Sequence, residues 1–467
     1  MRLVLTAVFV GACGYTPGFG APDAAMAPIP VYVSATAVEG GDGSMAAPLR
    51  TVNAGIQLAA RLRLSAVYVG GGTYSESVAM ASGVAVSGGF DEAWNPSDLA
   101  KTEIMGQIPA VRFEHLIEPT LLERVVVKTV DATQPGESAI AIAVDQSRQV
   151  QLRQVTVVPG KGAAGTSGVN GEKGVDGAPG GVGGAGCEDS GGLFCHRCGT
   201  PPIGGGGASA CGHPGGAGGI PGKSFGTGAP GAAGSGGTAP GPGGPGGGFG
   251  NGTRGSDGAA GATGKSGPGG DAIGSFAGLT YMPAFGGETT DGSDGEGGGG
   301  GGGGGGGVAR CDSYGSSGGG GGGGGCHGTA GRSGTGGGGS FGIVAFDSMV
   351  VIDASTITGG MGGRGGSGGV GGSGGRGGDS GGGGPHGGDQ DDGGMGAAGG
   401  RGGSGGAGGQ GGGGGGGPSA AAVCVGSATL TVRGSMLTGG TGGEGGASMG
   451  NPGMTGASTR AIGCSIF

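Results

Sequence analysis

The chain is expected to be all-β, a solenoid of short strands stacked on copies of themselves, and three observations lead to that expectation. Val150, Leu152, Val157 and Gly160 recur as Val350, Ile352, Ile357 and Gly360, then as Leu430, Val432, Leu437 and Gly440, at offsets of 200 and 80. Upstream, Leu122, Val125 and Val127 match Leu152, Val155 and Val157 at an offset of 30. Between the later clusters the sequence is dominated by glycine, which supplies 146 of 467 residues, so very long insertions interrupt one repeated unit. A unit this short cannot bury its apolar face alone and has to stack on its neighbours.

In chain order, residues 1–12 read as a signal peptide: Met1-Arg2 is a minimal basic start and Leu3 to Val10 an apolar run. Val10-Gly11-Ala12-Cys13 resembles a bacterial lipobox, which implies lipidation of Cys13 and, with Gly14 after it, sorting to the outer membrane or cell surface. Residues 13–29 are the anchor and an Ala/Pro/Gly tether. Residues 30–160 hold the cap and the first coils. Val31-Tyr32-Val33 is a strand, and Val52, Ile56, Ala59 and Leu62 at helical spacing behind Thr51 predict a short capped helix. Strands follow at Val67-Tyr68-Val69, Gly72-Thr73-Tyr74, Val78 and Val84-Ala85-Val86, with Trp94 close behind. Glycine-rich inserts occupy 161–339 and 359–418, coils occupy 340–358 and 419–438, and 439–467 is a glycine-rich segment with a terminal partial coil.

The pieces Tyr32-Val33-Ser34, Gly41-Asp42-Gly43-Ser44, Pro48-Leu49-Arg50-Thr51-Val52 and Val67-Tyr68-Val69-Gly70 followed by Gly72-Thr73-Tyr74 resemble the N-terminal cap and first coils of the pectate-lyase-like superfamily. The resemblance implies a right-handed parallel β-helix with a short N-terminal cap helix and long Gly-rich extruded loops. All three inserts leave at the same point of the repeat, so they should emerge on one side. In composition the inserts also resemble bacterial glycine-rich surface proteins of the polymorphic GC-rich-repeat type.

Within the inserts glycine often falls every third residue, as at Gly165, Gly168, Gly171 and Gly174, and from Gly362 to Gly377 most triplets read X-Gly-Gly. That period suits an extended helix with three residues per turn, and such helices bundle in polyglycine II. Flexible coil is the competing form, because ordering glycine carries a high entropic cost. A collagen trimer is the third, although only 24 prolines argue against it. Runs without side chains, such as Gly297 to Gly307, are expected to be loops.

Nine cysteines less Cys13 leave Cys187, Cys195, Cys198, Cys211, Cys311, Cys326, Cys424 and Cys464, an even set that suggests disulfides in an exported chain. Spacing alone does not assign the pairs, except that Cys424 and Cys464 sit where adjacent coils would meet. Cys195-His196-Arg197-Cys198 with Cys187, Cys211 and His213 has the look of a zinc set, but disulfides account for these cysteines better. Asp291 to Glu296 and Asp389 to Gly393 concentrate carboxylates without the spacing of a calcium loop and read as solvated turns. His327 and His386 lie in glycine stretches without acidic or serine partners in a recognisable arrangement.

A net charge of −9 with scattered Lys and Arg excludes the basic stripe that nucleic acid requires. Gly222-Lys223-Ser224 and Gly264-Lys265-Ser266 lack the earlier glycine of a P-loop, and no cofactor or metal is expected. Asp145, Arg148, Arg153, Asp347 and Asp353 are the positions a polysaccharide-cleaving site would use, yet the repeat sets Ser427 and Arg433 opposite Asp347 and Asp353, so no column of acids forms. The expected function is a non-catalytic, lipid-anchored surface protein with a structural, adhesive or display role. Its partners would be the membrane and extracellular polysaccharide or other surface components, with a polysaccharide lyase or hydrolase as the alternative.

Overall fold

The computed structural model describes residues 29–188, 198–245, 249–308, 313–388 and 392–466; the expected signal peptide, Cys13 and most of the expected tether lie outside them, as do Cys195 and Cys311. The chain is predominantly β, and its main body is three parallel sheets. The first sheet contains, in spatial order, Val31–Val33, Ala66–Gly70, Ala85–Phe90, Thr120–Glu123, Val150–Arg153, Met349–Asp353 and Thr429–Arg433. The second runs Gly72–Tyr74, Thr102–Gly106, Val125–Thr129, Thr156–Val158, Thr356–Thr358 and Met436–Thr438. The third runs Val78–Ala79, Val111–Glu114, Ala139–Asp145, Ser340–Phe346, Ser419–Val425 and Ser458–Ile462. From Ala66 onward the chain visits first, second and third sheet in strict rotation.

The register follows the sequence repeat. Val150 pairs with Val350 and Leu152 with Ile352, Val350 pairs with Leu430, and Leu122 pairs with Leu152. In the second sheet Val157 pairs with Ile357, and Ile357 with Leu437. Inward residues from all three sheets form one core in which Leu122, Leu152, Val157, Ile352 and Ile357 are fully buried. Burial of each such side chain contributes roughly 1.5–3 kcal/mol, so neighbouring circuits hold each other in register.

Sharp corners let short strands change sheet. Between the first and second sheets Arg124, Gln154, Ala354 and Gly434 all have positive φ; between the third and first, His115, Gln146, Asp347, Gly426 and Gly463 do. Each column is one left-handed residue per circuit, which reverses the chain in minimal length. Thr51 caps the helix Val52–Leu62, accepting from the Ala54 amide, and Val52, Ile56 and Ala59 are buried against the first strands. Gly55 faces Val33 so closely that a Cβ there would collide with it.

The inserts leave after Val158, Thr358 and Thr438 and return at Ser340, Ser419 and Ser458, always between the second and third sheets. The returning serines bond the departing glycines: Ser340 Oγ donates to the Gly160 carbonyl, Ser419 Oγ to Gly360 and Ser458 Oγ to Gly440. The glycine segments are joined side by side by regular backbone hydrogen bonds. Gly165, Gly168, Gly171 and Gly174 donate to Arg364, Ser367, Val370 and Ser373, one bond per third residue.

Gly297 to Gly307, expected to be a loop, is buried throughout and lies at the centre of the array. Successive amides there point to different neighbours: Gly298 and Gly301 donate to Gly322 and Gly319, Gly299 and Gly302 to Ser256 and Thr253, Gly300 and Gly303 to Ala232 and Ala229. Its carbonyls accept from three further segments, through Gly216 and Gly219, Gly400 and Ala397, and Gly241 and Gly244. A Cβ added at any of Gly297 to Gly304 would overlap a carbonyl of a neighbouring segment, which is why this stretch contains only glycine. Segments with one glycine per triplet, such as 165–177, lie at the rim with their other side chains outward.

A hairpin that the sequence reading missed, Ser275–Ala277 with Thr280–Met282, packs Phe276, Leu279 and Tyr281 over Phe341 and Val344 on the outer face of the third sheet. Its alternating Phe276, Leu279 and Tyr281 around Gly278 was the available signal. No helix among the described residues is long and apolar enough to cross a membrane.

Candidate functional site

The outer face of the first sheet carries one continuous row of side chains, Tyr32, Tyr68, Ser87, Glu123, Arg153, Asp353 and Arg433, each in register with the next. The row is aromatic at the N-terminal end and alternates in charge toward the other.

At the aromatic end Phe90 stacks on Tyr68 with ring centroids 4.4 Å apart, and Trp94 meets Tyr32 edge-on at 4.7 Å. Arg124 lies over the Phe90 ring at 4.9 Å, a cation–π contact. Trp94 has φ 61°, a conformation that disfavours a bulky residue. Asp91 holds it there: its carboxylate accepts from the Ala93 and Asn95 amides at 3.0 and 2.8 Å. Beside these rings is an open cleft of about 840 Å³ lined by Phe90, Trp94, Asp91, Glu92, Leu99 and Lys101. Leu99 is 93% exposed at its edge. Phe90 is itself buried, so the half-buried Trp94 ring, beside carboxylates and an ammonium group, is what suits a polyhydroxylated chain, which presents apolar C–H faces and hydroxyls together.

At the charged end Glu123 is nearly buried; it accepts from Ser87 Oγ at 2.6 Å and from Arg153 Nε at 2.7 Å, and forms an ion pair with Arg153. A cleft of about 410 Å³ is lined by Glu123, Arg124, Arg153, Gln154, Asp353 and Ala354. Glu123 and Asp353 are two strands apart with Arg153 between them, roughly 10 Å at the backbone. Asp347 lies at the opposite corner of the first sheet, about 20 Å along the strand from Asp353; its carboxylate accepts from the Ser427 amide and Oγ. Asp145 ends a third-sheet strand on Asp347's side, and the Arg148 amide bonds the Leu116 carbonyl. The five positions therefore divide into two groups, one at each end of the first-sheet strands.

In the glycine array several solvent-exposed side chains clamp one segment to another. Asp291 accepts from the Ala330 amide, Asp176 from Arg376, Asp257 from Arg401 and Asn170 from Val370. The Arg376 amide bond, then Lys173, holds the Asp176 carboxyl below the usual carboxylate range. Asp392 accepts from the Val308 amide; Asp389 and Asp391 lie outside the described residues. His327 does have an acidic partner, Asp294, at 2.6 Å from its Nδ1. Burial opposes ionisation of Asp294, but the His327 amide and ring and the neighbouring His213 outweigh it and lower its pKa.

Disulfides join Cys187 to Cys198, Cys211 to Cys326 and Cys424 to Cys464. Cys187 and Cys211 thus face other cysteines, which removes them from any zinc set with Cys198. The Cys211–Cys326 bridge spans 115 residues, and closing a loop of about 100 residues contributes roughly 4.7 kcal/mol in the chain-entropy account. Compared with known proteins, the chain matches no family model, no curated protein and no solved structure.

Proposed function

We propose that this is a non-catalytic cell-surface protein, lipid-anchored at Cys13, in which a right-handed parallel β-helix carries a polyglycine-II-like array and binds extracellular polysaccharide along the first sheet. The rotation of the chain through three parallel sheets supports the solenoid, and the three-residue hydrogen-bond period supports the polyglycine form. The observation that carries the functional reading is the cleft beside Trp94, next to a sheet whose outer face carries a row of fixed charges. Such a groove offers a long polymer repeated weak contacts, while the array adds a slab of hydrogen-bonded glycine segments.

The competing reading, a polysaccharide lyase or hydrolase, rests on Glu123 and Asp353 flanking Arg153 in the second cleft. Inverting glycosidases hold two carboxyls about 6.5–9.5 Å apart. Here, however, Glu123 is committed to Arg153 and Ser87 and is poorly placed to give up a proton.

Incubation of the purified protein with pectin, alginate and related polymers, with and without Ca²⁺, separates the two. Retention without cleavage is expected, with Trp94→Ala weakening it about tenfold, in line with one lost stacking contact. Cleavage abolished by Arg153→Ala or Asp353→Ala would replace this reading with the enzymatic one. Cys13→Ala should release the protein from membranes, and its retention there would count against the anchor.

A further inference from the structure

We infer that the glycine array carries a docking groove for an extended segment of a partner polypeptide that reads X-Gly-Gly, a groove that the chain itself fills along its inner part. It lies between segments 362–380 and 399–417, away from the clefts of the first sheet.

These two segments run antiparallel and meet along a uniform seam. A Cβ on Gly362 would overlap the Gly417 carbonyl oxygen, and the same contact recurs at every third residue as far as Gly377 with Gly402. Residues 441–447 cover the inner part of the seam. The Gly362 and Gly365 amides donate to the carbonyls of Thr441 and Glu444. On the other wall the Gly417 and Gly414 carbonyls accept from the Gly443 and Gly446 amides. Two side chains end this stretch: Gln410 Oε1 accepts from the Gly371 amide at 3.1 Å, and Ser448 Oγ donates to the Gly411 carbonyl at 2.6 Å.

Farther out the seam continues with its backbone groups unpaired. Among the described residues nothing accepts from the Gly374 and Gly377 amides or donates to the Gly402, Gly405 and Gly408 carbonyls. Gly362 and Gly365 are buried, whereas Gly374 and Gly377 are partly exposed. Arg401 and Asp379 approach across the groove at 4.0 Å and close it, so from Gly371 to Asp379 the open stretch measures roughly 25 Å at about 3.1 Å per residue. Exposed rows of backbone donors and acceptors are a template for adding another chain, as at the edge of a sheet.

The segment already seated in the groove specifies the occupant. Each unpaired amide needs the carbonyl of an X residue, each unpaired carbonyl needs a glycine amide, and only glycine lets two backbones approach this closely. Arg376 precedes Gly377 as Arg364 precedes Gly365, and Arg364 lies 3.7 Å from Glu444, so an acid at the X position opposite Gly377 is favoured.

The test pairs the full, non-reduced protein with a capped synthetic peptide that carries residues 441–446 followed by a repeat of 441–443. Saturable one-to-one binding is expected by fluorescence anisotropy of the labelled peptide, with the Gly374 and Gly377 amides exchanging at least tenfold more slowly. Ser404 and Ala407 precede Gln410 at three-residue steps, so Ser404→Gln with Ala407→Gln sets amide oxygens over Gly377 and Gly374 as Gln410 does over Gly371. That double variant should weaken binding at least tenfold. Gln410→Ala releases the Gly371 amide and should strengthen it, and Glu444→Lys in the peptide should weaken it severalfold. Absence of saturable binding, or binding that the double variant and Gln410→Ala leave unchanged, overturns the assignment. Self-association of the protein without peptide, abolished by the double variant, also overturns it and makes a second copy the occupant.

Discussion

Single residues in this protein are specified by what surrounds them at atomic range. Leu152 is fully buried between Leu122 and Ile352 in adjacent strands, so Leu152→Ala leaves a cavity that neighbours on both sides cannot collapse into without losing register. A cost of about 2–5 kcal/mol is expected, measurable by denaturant unfolding with disulfides intact. Glycine in the array obeys a different rule. Gly366 donates to Thr335, and a Cβ on it would overlap the Thr166 carbonyl oxygen. Gly366→Ala should therefore abolish amide-exchange protection in the segments that contain Thr166 and Thr335 while leaving the strands around Leu152 protected. An unchanged exchange pattern would contradict close packing at that position.

At the level of elements, the number of glycines per triplet reports how many sides of a segment are covered. The 165–177 stretch, with one glycine per triplet, lies at the rim; the X-Gly-Gly stretch near Gly362 is half covered; Gly297 to Gly307 is enclosed. The period of three was legible in the sequence, but its meaning for the all-glycine runs was not, because a run without side chains looks the same whether it is solvated or enclosed. The strands were easier to read. The offsets of 200 and 80 reappear as strand register, since a residue that faces the core in one circuit must face it in the next. The Phe276/Tyr281 hairpin was missed because its short apolar run sits inside a glycine-dominated stretch, and its burial depends wholly on Phe341 and Val344 of the third sheet.

The molecule as a whole joins an apolar core, held by burial, to a glycine array, held by backbone hydrogen bonds and carboxylate clamps. The two should respond differently to acid. Asp176 and Asp294 have carboxyls depressed below their ordinary value of 3.8, so their stabilising effect is complete above that value and is lost as pH falls through the lower folded-state value. Amide exchange in the array is accordingly expected to be flat from neutral pH down to about pH 4 and to accelerate below it, beyond the intrinsic pH dependence of exchange, before the core strands follow. Loss of array protection already near pH 6 would mean that groups other than these carboxylates hold it.

The amino-acid sequence by itself determined the strands of the exact repeat, their register, the capped helix at Thr51 and the points where the inserts depart, because each depends on local periodicity or on that repeat. The Cys424–Cys464 pair followed from the repeat, but only the tertiary structure decided the Cys187–Cys198 and Cys211–Cys326 pairs, which side chains bridge segments, and that His213 and His327 both meet Asp294. Those arrangements join residues tens to hundreds of positions apart through backbone contacts, and spacing along a glycine-rich chain carries no record of which segments will lie side by side.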